Sequence, residues 1–352
     1  MGMKVLPTDD QVMFRDAARR WVEQEAEEGA DIAQQWAQFA DLGWLMIALP
    51  EDAGGLGGDA SDAAIIAEEL GRGLVKSPYV GVAVTAAQLL IAFAPGRLEA
   101  LACGEQIPLV AHAEMGAGGD PAWVETTAQR SGDSWTLSGT KTAIIGAPMA
   151  TSFLVSAKTD KGTGLFEVAP GDAHVRAYDL FDKRPAGDLV LNGSKAALLA
   201  EDAQEQIIRA MDFEHVVESA EAVGVMQTAF DLTRDYLNTR QQYGQLIGQF
   251  QALQHRLADM FIELEQSRSM VLRGLDALIR DEADRASIAA ATRVKVAQAG
   301  HFVGAQGIQL HGGIGMTEEY PVGHHFRQLI AFEMRHGGAN AQAERYMELM
   351  AL

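Results

Sequence analysis

With 352 residues, 48% of them apolar, the chain can bury a substantial core and reads as a globular protein of two or three lobes. Lysine and arginine number 28 against 48 acidic residues, and the net charge of −20 repels nucleic acid and anionic membranes at long range, so neither is an expected partner. Cys103 is the one cysteine, Met1–Leu6 lacks the Ser or Thr of a myristoylation motif, and no signal peptide or run of about 18 apolar residues occurs; internal disulfides are excluded and a cytoplasmic location is expected.

Residues 1–108 read as an N-terminal helical lobe. Asp10 to Glu25 carries Val12, Phe14, Ala17 and Trp21 at mostly three- and four-residue spacings, with Thr8, Asp9 and Asp10 as its start signal. A second helical pattern, Trp36 to Trp44, ends near Gly43, and Leu49 to Gly58 is a loop. Helices follow from about Ser61 to Gly71 and, beyond Ser77-Pro78, from Val82 to Phe93. Residues 109–202 change texture. Trp135–Lys141, Ser152–Ser156, Gly164–Val168 and Asp188–Leu191 are short β-prone runs, with turn candidates at Gly132-Asp133 and Gly139-Thr140, and they predict a middle β-sandwich or barrel. Residues 203–352 return to long helices: about Ala203–Thr239, Phe250–Leu278 and Asp284–Gln306. In the second of these, Leu253, Leu257, Met260, Leu264, Val271, Leu275 and Leu278 form a stripe that packs against other helices. The expected fold class is α+β: helical lobe, β domain, C-terminal long-helix bundle.

Two polar signatures stand out in the last segment. In Gln309-Leu310-His311-Gly312-Gly313, continuing to Tyr320, glycines let backbone amides approach a phosphate-bearing ligand. Upstream, Arg240 to Gln251 offers a guanidinium for a phosphate and amides for a polar ring or ribose. Together they resemble the flavin-binding signatures of the acyl-CoA dehydrogenase family. Arg240, Tyr243, Gly244, Ile247, Phe250 and Gln251 match its Arg-x-x-Phe-Gly-x-x-Ile-x-x-Phe-Gln pattern with Tyr in place of Phe. The N-terminal segments Asp41-Leu42-Gly43-Trp44, Leu49-Pro50-Glu51 and Glu68-Glu69-Leu70-Gly71-Arg72 continue the match. In the middle, Glu114-Met115-Gly116-Ala117-Gly118-Gly119-Asp120 resembles the family's Glu-Pro-x-Ala-Gly-Ser-Asp loop, which lies beside the flavin and the acyl thioester. One departure is clear: the family's Trp-Ile-Thr or Trp-Ile-Ser, placed against the flavin ring, is here Ala143-Ile144-Ile145.

The resemblance implies FAD as cofactor, held by Arg240, Tyr243, Gln251, Gln309, Leu310, His311, Gly312 and Gly313 with Glu114 nearby, commonly across a subunit interface. His255, His311, His324 and His325 fit no standard zinc spacing, so no metal is expected. The implied reaction removes the α-proton of an acyl-CoA with a carboxylate while the β-hydrogen leaves as hydride to the flavin, giving a trans-2-enoyl-CoA. In the commonest branch the base is a Glu-Gly pair nine positions after the Arg that follows Glu-Tyr-Pro; counting nine from Arg327 reaches His336 instead. Members resembling isovaleryl-CoA and long-chain dehydrogenases carry the base upstream. Met211-Asp212-Phe213-Glu214-His215 resembles their Leu-Asp-Leu-Glu-Arg and puts Glu214 26 residues before Arg240. Glu214 is the leading base; the alternative for it is a solvated carboxylate at a helix start. Glu333, Glu218 and Glu221 are weaker candidates.

Ala220–Met226, Leu264–Met270 and His301–Thr317 resemble most closely the so-called pimeloyl-CoA dehydrogenase small subunits, a label that implies a paralogous partner. The expected function is acyl-CoA dehydrogenation with electrons passed to an electron-transfer flavoprotein, in a homo- or hetero-oligomer, dimer or tetramer. The alternatives are a non-catalytic or half-site subunit of a heteromeric dehydrogenase, and a flavin-dependent oxidase or monooxygenase on the same fold.

Overall fold

The computed structural model describes residues 7–25, 31–132 and 134–351; the Met1–Leu6 segment and Asp133 of the expected Gly132-Asp133 turn lie outside them. Along the chain, α1 (Asp9–Glu25), α2 (Ile32–Asp41), α3 (Ala60–Arg72), a π-helical turn (Val80–Ala86) running into α4 (Ala87–Phe93), and α5 (Leu98–Ala102) come first. Then come β1 (Pro108–Ala111), β2 (Thr127–Ser131), β3 (Ser134–Ile145), β4 (Ser152–Thr159), β5 (Gly162–Val168), β6 (His174–Asp179) and β7 (Pro185–Ala200). The remainder is α6 (Gln204–Thr239), a short hairpin β8 (Gln241–Gln242) and β9 (Gln245–Leu246), α7 (Gln251–Ile279), α8 (Arg285–His311), α9 (Val322–Met334) and α10 (Gly338–Met350). The chain forms two compact units, a β-containing unit of residues 28–63 and 76–214 and a bundle unit of residues 1–27, 64–75 and 215–352. None of the described helices is long and apolar enough to cross a membrane.

In the β-containing unit, Asp31 caps α2 by accepting from Ala33 N–H, and Gly43 at φ 74 turns the chain out after it. Trp36, Phe39, Trp44 and Tyr79 cluster there, the Phe39 and Trp44 rings 5.0 Å apart, and the Tyr79 hydroxyl donates to Trp44 O (3.3 Å). The loop after α2 doubles back so tightly that a Cβ added to Gly55 would lie 2.1 Å from Leu49 O. The helix expected from Val82 starts at Val80 and opens with π geometry, a variation that favours functional sites.

The strands form one sheet that closes on itself: β4 pairs with β5, β5 with β7, β7 with β3, β3 with β2, and β2 returns to β4. The middle of the chain is therefore a barrel, with β1 added parallel to β4 and β6 added to β7. Closure leaves few unpaired edges. Sequence patterning misses β2 and β6 because they are mostly solvent-exposed and carry no apolar alternation. Gly139-Thr140 is not a turn. It lies inside β3, where Gly139 passes so close to Thr126 that an added Cβ would sit 2.5 Å from its hydroxyl.

In the bundle unit, Thr8 and Gln11 form a reciprocal capping box at the start of α1, each side chain accepting from the other's N–H (3.1 and 3.2 Å). The buried stripe of α1 is Ala18 and Trp21; Val12, expected inside, is 41% exposed. On α7 the expected stripe buries Met260, Leu264, Val271, Leu275 and Leu278, while Leu253 and Leu257 are half-buried. α8 runs antiparallel to α7, joined by Thr292–Met270, Lys295–Glu263 and Arg256–Gln306 hydrogen bonds. Its small residues admit neighbours closely: a Cβ added to Gly304 would lie 2.4 Å from the Phe326 ring of α9.

Candidate functional site

Three helix ends meet at one end of the bundle unit. Tyr236, in the last turn of α6, stacks on His311 at the end of α8 with ring centroids 4.6 Å apart. Arg256, in the second turn of α7, donates to Gln306 of α8 (3.2 Å). Arg240 directly follows α6, Gln251 opens α7 and Gln309 to Gly313 closes α8, so these contacts carry both sequence signatures to the same end. Arg240, Gln251 and Gln309 are exposed, and Tyr243 on the hairpin tip is 93% exposed at φ 52. Among the described residues no carboxylate pairs with the Arg240 guanidinium. A Cβ added to Gly312 or Gly313 would meet nothing within 4 Å, so no side chain covers the backbone there, although the Gly312 N–H is spent on the Ile308 and Gln309 carbonyls that cap α8. A guanidinium and carboxamides beside an uncovered glycine backbone are groups that a pyrophosphate and a polar ring take, and these residues fit FAD.

Two expected cofactor residues turn inward. Leu310 is 6% exposed, and His311 is buried with its Nδ1–H donating to Gly307 O (2.7 Å) and its Nε2 accepting from the Tyr320 hydroxyl (3.2 Å). Burial pushes the His311 pKa down, so the ring is neutral at pH 7. Successive helix positions point in different directions; with Gln309 outward, the Leu310 and His311 side chains pack the loop from beneath and are not presented to a cofactor.

Glu214 lies in the third turn of α6, in the β-containing unit, and is 7% exposed. Thr85, from the π-helical turn, donates its hydroxyl to Glu214 Oε2 (3.1 Å). The solvated helix-start reading is excluded, because α6 begins at Gln204 and Asp212 is fully buried. The weaker candidates have structural partners in the bundle unit. Glu218 accepts from Arg293 (2.7 Å), pairs with Arg335, and lies 3.3 Å from His336 Nε2. Two guanidiniums on one carboxylate favour its charged form and make it a poor proton acceptor. Glu221 accepts from Gln328 (2.9 Å) and Glu333 pairs with His301 (2.8 Å). His336, at the position where relatives place a Glu, has φ 54 and sits edge-on to His215 at 4.6 Å. Burial, then the neighbouring His336 and arginines, holds His215 well below the usual histidine range, so it is neutral.

Glu114, expected at the cofactor, has both oxygens taken inside the β-containing unit. Its Oε1 accepts from Lys141 Nζ (2.7 Å), Thr126 N–H (3.0 Å) and Thr126 Oγ1 (2.7 Å); Oε2 accepts from Glu125 N–H (2.5 Å). Burial pushes the Glu114 pKa up, but Lys141 and Thr126 outweigh it and the carboxyl ends below its ordinary range. Lys141 is fully buried and also donates to His112 O (3.1 Å) and Ser156 Oγ (2.9 Å). Burial lowers the His112 pKa to about 4, so the ring is neutral. Its Nε2 faces Pro121 O (3.0 Å), which only accepts, so Nε2 carries the proton and Nδ1 accepts from the Ser156 hydroxyl (2.8 Å). The Glu114 side chain therefore anchors the His112 to Asp120 loop inside the β-containing unit and is not presented to a cofactor. Lys141 was readable only as part of a strand pattern. Thr85 left no sequence signal, being one hydroxyl in an apolar run.

Family models describe the same three parts: the N-terminal domain of acyl-CoA dehydrogenases matches residues 8–95, the middle domain 110–183 and the C-terminal domain 204–350. Acyl-CoA dehydrogenase FadE27 of Mycobacterium tuberculosis is 31% identical over 88% of this chain and 86% of its own length. Among solved structures, the Tcur3481-Tcur3483 steroid ACAD superposes with a TM-score of 0.90 at 30% identity, over 97% of this chain and 98% of the other. The ChsE4-ChsE5 complex from Mycobacterium tuberculosis superposes with a TM-score of 0.91 at 27% identity, over 99% of each chain. The three matched domains together cover nearly the whole chain, and the chain belongs to the acyl-CoA dehydrogenase family of FAD-dependent oxidoreductases.

Proposed function

We propose that the protein oxidises an acyl-CoA thioester to its trans-2-enoyl form, with Glu214 as the base and an electron-transfer flavoprotein as electron acceptor. The observation that carries this reading is the burial of Glu214 beside the Thr85 hydroxyl, on the upstream helix where one branch of the family keeps its base. A buried carboxylate near a thioester α-carbon takes the proton onto its oxygen without competition from water, and Thr85 fixes which oxygen is turned away from the substrate. FAD, when bound, accepts the β-hydride. Arg240 and Gln309 act on its phosphates and polar edge, beside the uncovered backbone of Gly312 and Gly313. The test is anaerobic addition of a panel of acyl-CoA thioesters to the FAD-loaded protein. Bleaching of the flavin by at least one thioester is expected; a fully loaded protein that no thioester reduces would refute the reading.

Arg240 gives a second measurable consequence. Arg240→Ala is expected to weaken FAD retention by roughly 10- to 100-fold, the scale of a lost charge-assisted hydrogen bond. Equilibrium ultrafiltration with free FAD measures it, and an unchanged dissociation constant would remove Arg240 from the site.

A second reading is favoured by Ala143-Ile144-Ile145, which stands where the family places a Trp and a hydroxyl residue against the flavin. In that reading the chain lends Arg240 and the Gln309 to Gly313 backbone to a paralogous partner's FAD, within a hetero-oligomer. Two similar structures named as two-protein assemblies support it. Purification alone and with a co-expressed paralogue separates the readings: a protein that turns yellow only with the paralogue belongs to the second.

A further inference from the structure

Strand β3 carries an irregularity at the segment that departs most from the family pattern. Its register with β7 slips between Lys141 and Ile144, and Ala143, inside the slip, takes φ 54. L-residues avoid that region because Cβ crowds the following carbonyl, and they persist there only where the surroundings leave no alternative. Three consecutive residues are pinned in this way. The Lys141 side chain is tied to Glu114 (2.7 Å), Thr142 N–H donates to Ala113 O (2.8 Å), and Ala143 N–H donates to Asp188 Oδ1 (3.1 Å).

Asp188 belongs to β7, is 5% exposed, and gathers further donors: the Tyr178 hydroxyl (2.6 Å) and the Arg176 guanidinium, both from β6. Burial pushes its pKa up, yet Tyr178, Arg176 and Ala143 N–H together bring it below the ordinary aspartate value, so it is a charged acceptor at neutral pH. The consequence for β3 is directional. Ile144 is buried and Ile145 half-buried, while Ala143 is exposed, so the bulge presents backbone with only a methyl group over it. Bulges beside functional sites commonly re-aim the strand in this manner.

Resting on the reading of an FAD-dependent dehydrogenation, we infer that Asp188 is a positioning residue: it holds the Ala143 bulge and so sets the backbone of residues 143–145, the segment that stands where the family resemblance puts the flavin ring. Asp188 touches neither cofactor nor substrate in this role, and it acts through the Ala143 peptide.

The test compares Asp188→Ala, Asp188→Asn and the double variant Asp188→Ala/Ala143→Gly with the wild-type holoenzyme, co-purified with a paralogous subunit if FAD is retained only then. Asp188→Ala is expected to change the visible absorption and circular dichroism of the bound flavin and to raise the FAD dissociation constant about tenfold. Asp188→Asn keeps an Oδ1 acceptor for Ala143 N–H and should retain the wild-type flavin bands. Ala143→Gly should restore them in the double variant, because glycine takes a positive φ without support. Asp188→Ala with unaltered flavin bands and affinity overturns the inference, and so does a loss that neither Asn nor the glycine rescues. A wild-type protein that binds no FAD in either preparation defeats the functional reading and the inference with it. A wild-type flavin that acyl-CoA bleaches, beside variants indistinguishable from it, defeats the inference alone.

Discussion

Glu214→Gln is expected to slow flavin reduction by an acyl-CoA substrate by roughly 10²-fold or more, the range for loss of a positioned base. The substitution is nearly isosteric, and its carbonyl oxygen still accepts from Thr85, which lies 3.1 Å from the native carboxylate. What it removes is the carboxylate that accepts the proton in the proposed reaction. Stopped-flow bleaching under anaerobic conditions gives the rate directly, while FAD content and thermal midpoint report whether the fold survives. A loaded, folded Glu214→Gln protein that is reduced at the wild-type rate would transfer the base role elsewhere. Glu218, Glu221 and Glu333 are poor heirs, being engaged by arginines, by the Gln328 amide and by the His301 ring respectively. His336 would then need examination, since it occupies the position of the base in the commonest relatives.

Lys141→Met is expected to destabilise the protein by about 3–5 kcal/mol, the usual consequence of removing one member of a buried ion pair. It leaves the Glu114 carboxylate buried without its cation and withdraws donors from His112 O and Ser156 Oγ. The shift in the urea midpoint measures the loss, and the double variant with Glu114→Gln should recover part of it, because the uncompensated charge is then gone. An unchanged midpoint in Lys141→Met would contradict the role assigned to the pair. The pH dependence has a definite sign. Burial outweighs the Glu114 attraction and lowers the Lys141 pKa to about 8, from about 10.5 for a lysine in water. Between those values the unfolded chain holds the proton and the native protein does not, so this group makes stability rise with pH across that window. The contribution is complete above the upper value, is lost as pH falls through about 8, and should be absent from Lys141→Met.

The helices of the bundle are legible in the sequence. The Arg240 to Gln251 and Gln309 to Gly313 signatures are contiguous, and their residue types report donor chemistry without reference to a partner. The α7 stripe was legible for the same reason: Met260, Leu264, Val271, Leu275 and Leu278 repeat with the period of the helix that buries them. The base position was half legible. Spacing from Arg240 singled out Glu214, but spacing alone left it equally a surface carboxylate, and the hydroxyl that holds it lies 129 residues away in the chain.

By itself, then, the sequence determined the α+β class and the long helices, which follow from periodicity along one segment. Tertiary structure decided the rest. It closed the β strands into a barrel through the β2–β4 pairing, turned Leu310 and His311 inward while leaving Gln309 outside, and committed Glu114 to Lys141 27 residues away. Burial and long-range pairing made these choices. A carboxylate becomes a base, an anchor or a solvated surface group according to which distant donors reach it and how much water it keeps, and neither property is written in its neighbours along the chain.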